Sequence, residues 1–344
     1  CALAWVDIST GELRVMPCAP VRLGPELARL APREVLVSEA RQGDWAEGVA
    51  EAGAALTALP RGSFDSTAAE RRLCILFGVA SLDAFGTFER AEISAMGALV
   101  DYLDLTQRGK LPLLGPPVRE ATGGTMQIDA ATRRNLEITT SLTGGRDGSL
   151  LGAVDHTVTA AGARLLDRRL SGPSRDLGVI HARLEAVRWL EAEGRLREDL
   201  RADLRRVPDI DRALSRLALD RGGPRDLAAI RTGLAQAAAI AARLADAPPL
   251  LAQAARALTG QDALIDQLQA ALVAEPPLLL RDGGFIAEGH DGELDETRRL
   301  RDEGRSVIAG MQAEYVALTG VQSLKIKHNN VLGYFIETTD AHAE

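Results

Sequence analysis

Apolar and polar residues alternate in two short runs near the amino end, Ala4-Trp5-Val6-Asp7-Ile8 and Glu12-Leu13-Arg14-Val15-Met16, on either side of Ser9-Thr10-Gly11. A period of two sends successive side chains to opposite faces, so these runs predict two strands joined by a hairpin turn. Pro25 to Leu30 predicts a short helix, Glu34 to Ser38 a buried strand and Ala68 to Phe77 an amphipathic helix. Strands interleaved with helices predict a small α/β layered domain over residues 1–90.

From Ala91 the apolar spacing changes to three and four. Ile93, Met96, Leu99, Val100, Leu103 and Leu105 mark a helix that Gly109-Lys110-Leu111-Pro112 ends. A connection rich in Pro and Gly leads to an extended Met126-Gln127-Ile128, and Asp129 then caps a helix expected to run through Leu142. Further helices are expected from Thr159 to Leu170, behind Asp176 along the stripe Leu177, Ile180, Leu184, Val187 and Leu190, from Val207 through Leu219, and from Arg225 to Ala245. Pro276-Pro277 and Arg281-Asp282-Gly283-Gly284 interrupt the pattern. From Asp291 to Leu318 the seam Leu300, Val307, Met311 and Leu318 predicts one continuous helix, which at about 1.5 Å per residue reaches roughly 40 Å before Gly320 ends it. A mainly α-helical core with a long arm is expected over residues 91–317.

Alternation returns in the last segment, 318–344. Leu324, Ile326 and His328 alternate with Lys325, Lys327 and Asn329, Asn330 stands at a turn, and Gly333 opens Tyr334-Phe335-Ile336, so a short β segment with a second hairpin is expected. The lysines of the chain are Lys110, Lys325 and Lys327; two of the three therefore fall on one strand of a protein that otherwise uses arginine. Read alone, this stretch fits an ordinary solvated hairpin and a phosphate-contacting one equally well.

Composition narrows the field. A hydrophobic fraction of 46% with 26% charged residues describes a folded globular chain, and 344 residues call for more than one core. Aromatic residues at 3% leave the cores to Leu, Ala, Val and Ile. The net charge of −8 excludes a surface that is basic all over, so any contact with nucleic acid is local. Val321 to Ile336 holds Lys325 and Lys327 and no carboxylate, which reverses the local sign. Cys1, Cys18 and Cys74 are odd in number and lack metal-ligand spacing, as expected of reduced packing residues in a cytoplasmic protein. No apolar run approaches the roughly 18 residues of a membrane span. The chain opens already inside a strand-like run, which reads as the boundary of a fragment.

Other candidate chemistry is weaker. Asp7, with Glu12 beyond the turn, is a single well-placed carboxylate where a two-metal nuclease needs a cluster, so a capped turn made by Asp7, Ser9 and Thr10 is the preferred reading. Gly144-Gly145-Arg146-Asp147-Gly148-Ser149 has the glycines of a phosphate-cradling loop, but no lysine in the chain precedes Ser or Thr; it reads as a turn with Ser149 as the next N-cap. His156 and His181 lack partners at zinc spacing. Neither a cofactor nor a metal is expected on these residues.

"SLKIKHNNVLGYFIE" resembles the segment that opens the clamp domain of the MutS family of DNA mismatch-repair proteins. "MQIDAATRRNLEIT" at Met126 to Thr139, "VTAAGARLLDRRL" at Val158 to Leu170 and "VPDIDRALSRLAL" with "GGPRDLAAIR" from Val207 to Arg231 are similar to the same family in the same order. The resemblance implies a multidomain chain: a ribonuclease H-like connector domain (1–90), a helical core with long lever helices (91–317) and the start of a β clamp (318–344). It implies that Lys325, Lys327, His328, Asn329 and Asn330 contact the backbone of mismatched duplex DNA, that a second MutS-like subunit completes a homodimer, and that a MutL-like partner meets the connector. The family's mismatch-reading Phe-x-Glu element and its ATPase, with ATP and Mg²⁺, have no counterpart in these residues, so no catalytic activity is expected of them. A helical adaptor that binds only protein is the alternative reading.

Overall fold

The computed structural model describes residues 1–339, so the end of the expected clamp segment, 340–344, lies outside the described residues. The chain forms two compact units, 1–269 with 274–283, and 270–273 with 284 onward.

The first unit begins with β1 (Ala2–Asp7) and β2 (Glu12–Pro17), paired antiparallel with Asp7 opposite Glu12. The turn forms as the residue types predict: Asp7 Oδ1 accepts from the Ser9 N–H at 2.9 Å and the Ser9 hydroxyl at 2.7 Å, and the Asp7 carbonyl accepts from the Gly11 N–H. The chain continues through α1 (Leu23–Leu30), β3 (Glu34–Ser38), α2 (Gln42–Glu51), β4 (Ala55–Leu59), α3 (Ser66–Phe77), α4 (Arg90–Thr106) and β5 (Val118–Arg119). β3 and β4 pair in parallel with α2 as their connection, and β5 joins β2 in parallel to give the order β1-β2-β5.

Alternation on β2 turns Leu13 and Val15 inward, where they meet Leu73, Leu82, Met96, Val100, Leu103 and Leu114. α4, whose spacing places it with the helices that follow, thus packs into this α/β core, which extends past residue 90. Close approach explains it. A Cβ on Gly97 would collide with Ala69 of α3, so glycine lets the two helices touch. Glu92 of α4, fully buried, is held by Arg119 at 2.7 Å and closes a capping box with Glu89.

The helical part of this unit contains α5 (Ala130–Asn135), α6 (Leu150–Val154), α7 (Ala160–Ser171), α8 (Leu177–Ala192), α9 (Gly194–Leu204), α10 (Ile210–Ala218), α11 (Pro224–Arg243), α12 (Pro249–Ala257) and α13 (Asp262–Ala271). Asp129, Ser149, Thr159, Asp176 and Asp209 cap their helices with side-chain oxygens, as their residue types predict. α5 stops at Asn135 instead of reaching Leu142. Glu137 takes a left-handed φ of 48°, the Glu137 N–H reaches the Arg134 carbonyl and the Ile138 N–H reaches that of Arg133, a Schellman ending that turns Ile138 into the interior. Leu200 of α9, Ile240 of α11, Leu244 just past its end and Ala255 of α12 form a second core on which Trp189 and Leu190 of α8 pack.

The second unit holds α14 (Gly292–Asp302), α15 (Gly304–Thr319), β6 (Lys325–Asn329) and β7 (Gly333–Glu337). The single helix expected from Asp291 to Leu318 is two helices. Glu303 leaves helical geometry at φ −114°, ψ 18°; its N–H ends α14 on the Arg299 carbonyl, and its own carbonyl starts α15 by accepting from Val307. Gly304, which follows, has little helix propensity to carry the ladder across.

Candidate nucleic-acid interface

Gly320, at φ 72°, ends α15 by donating to the Val316 carbonyl. The chain then turns back, Leu324 buries itself, and Gln312 of α15 accepts the Ile326 N–H at 2.9 Å. These contacts seat the β6-β7 hairpin on the end of its helix.

The hairpin register sets Lys325 opposite Glu337, Lys327 opposite Phe335, His328 opposite Tyr334 and Asn329 opposite Gly333. Lys325, Lys327 and Asn329 therefore share one face with Phe335 and Glu337, and Ile326 and His328 share the other with Tyr334 and Ile336. Both lysines are exposed. The five residues singled out from sequence are thus not on one surface: His328 packs edge-on against Tyr334, ring centres 4.8 Å apart, on the face away from the lysines. Asn330 is exposed in the turn.

Asn329 is also partly committed. Its Oδ1 accepts from the Val331 N–H at 2.9 Å and the Leu332 N–H at 2.7 Å, an Asx turn that shapes the hairpin tip. Its amide nitrogen is the group left to donate outward. The tip itself is apolar and open, with Val331 91% and Leu332 69% exposed.

Sequence reasoning missed two residues of this site. Gln312 lies outside the hairpin and gave no local signal. Glu337 ion-pairs with Lys327 across the strands, although Val321 to Ile336 holds no carboxylate. Counting back from the turn gives the pairing, since a hairpin fixes its register at the loop.

The first unit has a cleft of about 630 Å³ lined among others by Trp5, Glu12, Arg14, Arg29, Glu120 and Arg168. Its charged groups neutralise one another. Glu12 accepts from Arg14 at 2.7 Å and from Arg168 of α7 at 2.5 Å, Arg14 and Arg29 both donate to Glu120, and Arg29 also holds Glu26 at 2.6 Å beneath the Trp5 ring. Burial pushes the Glu12 carboxyl up, but the two guanidiniums more than offset this and leave it below the usual carboxylate range. Asp7 Oδ1 is engaged in its turn and both Glu12 oxygens accept from arginine, so the two residues do not form a paired carboxylate site. Among the described residues no group of three or more His, Cys, Asp or Glu is placed to hold one. Nor, among the described residues, is any helix long and apolar enough to cross a membrane.

The family model for MutS domain II matches residues 1–115 and that for MutS domain III matches residues 131–340. The chain is 73% identical to the DNA mismatch repair protein MutS of a strain of Cereibacter sphaeroides, 71% to that of Paracoccus denitrificans and 62% to that of Roseobacter denitrificans. In each case the match covers 100% of this chain and 39% of the relative's length.

Proposed function

Because the chain belongs to the MutS family of DNA mismatch-repair proteins, we propose that it supplies the connector, the helical lever body and the first clamp hairpin of a protein that recognises mispaired DNA. The observation that carries the DNA-gripping part of this reading is the exposed face of β6, where Lys325 and Lys327 project side by side from a chain of net charge −8. Their ammonium groups neutralise phosphates of duplex DNA, and the Asn329 amide nitrogen and Asn330 donate to backbone oxygens. Such contacts fix position on the duplex without reading bases. His328 acts indirectly, through its packing on Tyr334.

Mismatch reading and ATP hydrolysis with Mg²⁺ belong to other parts of the whole protein. No residue here is assigned to ATP: Lys110, Lys325 and Lys327 are followed by Leu, Ile and His, and the glycine loop spends the Gly144 and Ser149 N–H groups on the carbonyls of Ser141 and Arg146. α14 and α15 act as the lever that passes the ATP-driven change to the hairpin. In a cytoplasmic homodimer, the second MutS-like subunit presents the facing clamp, and a MutL-like partner meets the connector.

Titrating a fluorescent 25-base-pair duplex with this chain tests the reading. Affinity is expected to fall about threefold or more from 50 to 200 mM salt, as phosphate neutralisation requires, and to be lost in the Lys325→Glu/Lys327→Glu double variant. Absence of binding at 50 mM salt overturns the reading and leaves the protein-only adaptor.

A further inference from the structure

We propose that Glu337 is a built-in phosphate mimic that competes with DNA for the lysines of β6, so that grip on the backbone requires the exchange of a pre-formed ion pair. This rests on the DNA-gripping reading above. Three observations carry it. Glu337 lies directly opposite Lys325 in the hairpin register, on the same face. Its carboxylate already ion-pairs with Lys327, the diagonal neighbour. Both side chains of that pair are half exposed, 51% for Lys327 and 48% for Glu337, so a phosphate oxygen can reach the ammonium from solvent.

The chemistry of the exchange is like for like. A carboxylate and a phosphate each offer anionic oxygens to the same N–H donors, and long side chains at directly opposed and diagonal positions of a hairpin are within reach of one another. An exposed pair of this kind is weak because water and salt screen it, so DNA displaces it. The displaced carboxylate stays on the same face, beside the bound phosphates and repelling them. Two lysines and one glutamate thus act on the backbone as about one net charge. The structure assigns Glu337 the role of limiting how tightly the hairpin holds DNA and of keeping Lys327 paired when DNA is absent.

The test compares the wild-type chain with Glu337→Gln, which keeps size and polarity and removes the charge, and with Glu288→Gln, which removes an exposed carboxylate outside the hairpin. Each is titrated with the same fluorescent duplex over a salt series, alongside Lys325→Glu/Lys327→Glu. Glu337→Gln is expected to bind about fivefold tighter at 50 mM salt and to steepen the plot of log affinity against log salt by about one; Glu288→Gln is expected to match wild type. If Glu337→Gln also matches wild type while the double lysine variant loses binding, the role of Glu337 is wrong and the DNA-gripping reading stands. If all four proteins fail to bind, the gripping reading falls and this inference falls with it. Equal tightening by both glutamine variants means that net charge alone is responsible, and that too overturns the assignment.

Discussion

Asn329 has two tasks for one side chain. Its carbonyl oxygen holds two backbone N–H groups of the turn, and its amide nitrogen is left to face DNA. The two are separable by substitution. Asn329→Asp keeps the acceptor and so the turn, but adds a negative charge beside the lysines; Asn329→Ala removes both functions. Asn329→Ala is expected to destabilise the hairpin by about 1 kcal/mol and to speed amide exchange at Val331 and Leu332, whereas Asn329→Asp keeps that protection and weakens DNA binding several-fold. Loss of protection in the aspartate variant would show that the turn does not depend on the carbonyl. At this scale the sequence was readable for what lies on one strand, since alternation names Lys325 and Lys327 directly. It was silent on Gln312; the same alternation puts His328 on the face away from the lysines, and only its packing partner, Tyr334, depends on what the opposite strand presents.

Among the elements, the join between α14 and α15 is the most informative. The apolar seam Leu300, Val307, Met311 and Leu318 keeps its spacing across Glu303, so periodicity gives no sign that one residue there leaves the helix. Gly304 is where the break is most easily altered. A Cβ at this position meets nothing within 4 Å, and alanine favours helix over glycine by about 1 kcal/mol. Gly304→Ala is therefore expected to stabilise the start of α15, slow amide exchange from Glu303 to Val307 and raise helical circular dichroism slightly. Unchanged exchange would mean that the break is imposed by packing. α5 shows the opposite case: its cap, Asp129, was legible, but its end was not, because a left-handed Glu137 is adopted in order to bury Ile138, whose reward is tertiary.

Across the first unit, ion pairs tie distant segments together and make stability depend on acid. Arg164 beside Asp209 and Arg243 beside Asp203 hold these carboxyls below their ordinary range, and Glu12 is lowered by Arg14 and Arg168 despite the opposing effect of burial. In the unfolded chain these groups take up protons near pH 4; in the folded one they do so only at lower pH. The unfolded state thus binds more protons between the two values. The stabilisation is complete above about pH 4 and is lost as the pH falls through the folded values. Thermal unfolding followed by circular dichroism is expected to show a midpoint that is flat from pH 7 to 5 and drops by several degrees toward pH 3, with a smaller drop in Arg168→Ala. A midpoint that rises on acidification contradicts this.

The sequence by itself determined the kinds of element, most of the helix caps, the multidomain α/β and helical organisation and the concentration of lysine on β6, because these depend on spacing and residue type within a few positions. Only the tertiary structure decided that α4 joins the first core, that Glu12 meets Arg168 and that Glu337 meets Lys327. Those outcomes depend on register and close packing between separate segments. A hydrophobic period reports which side of an element turns inward; it carries no record of the partner that side will find.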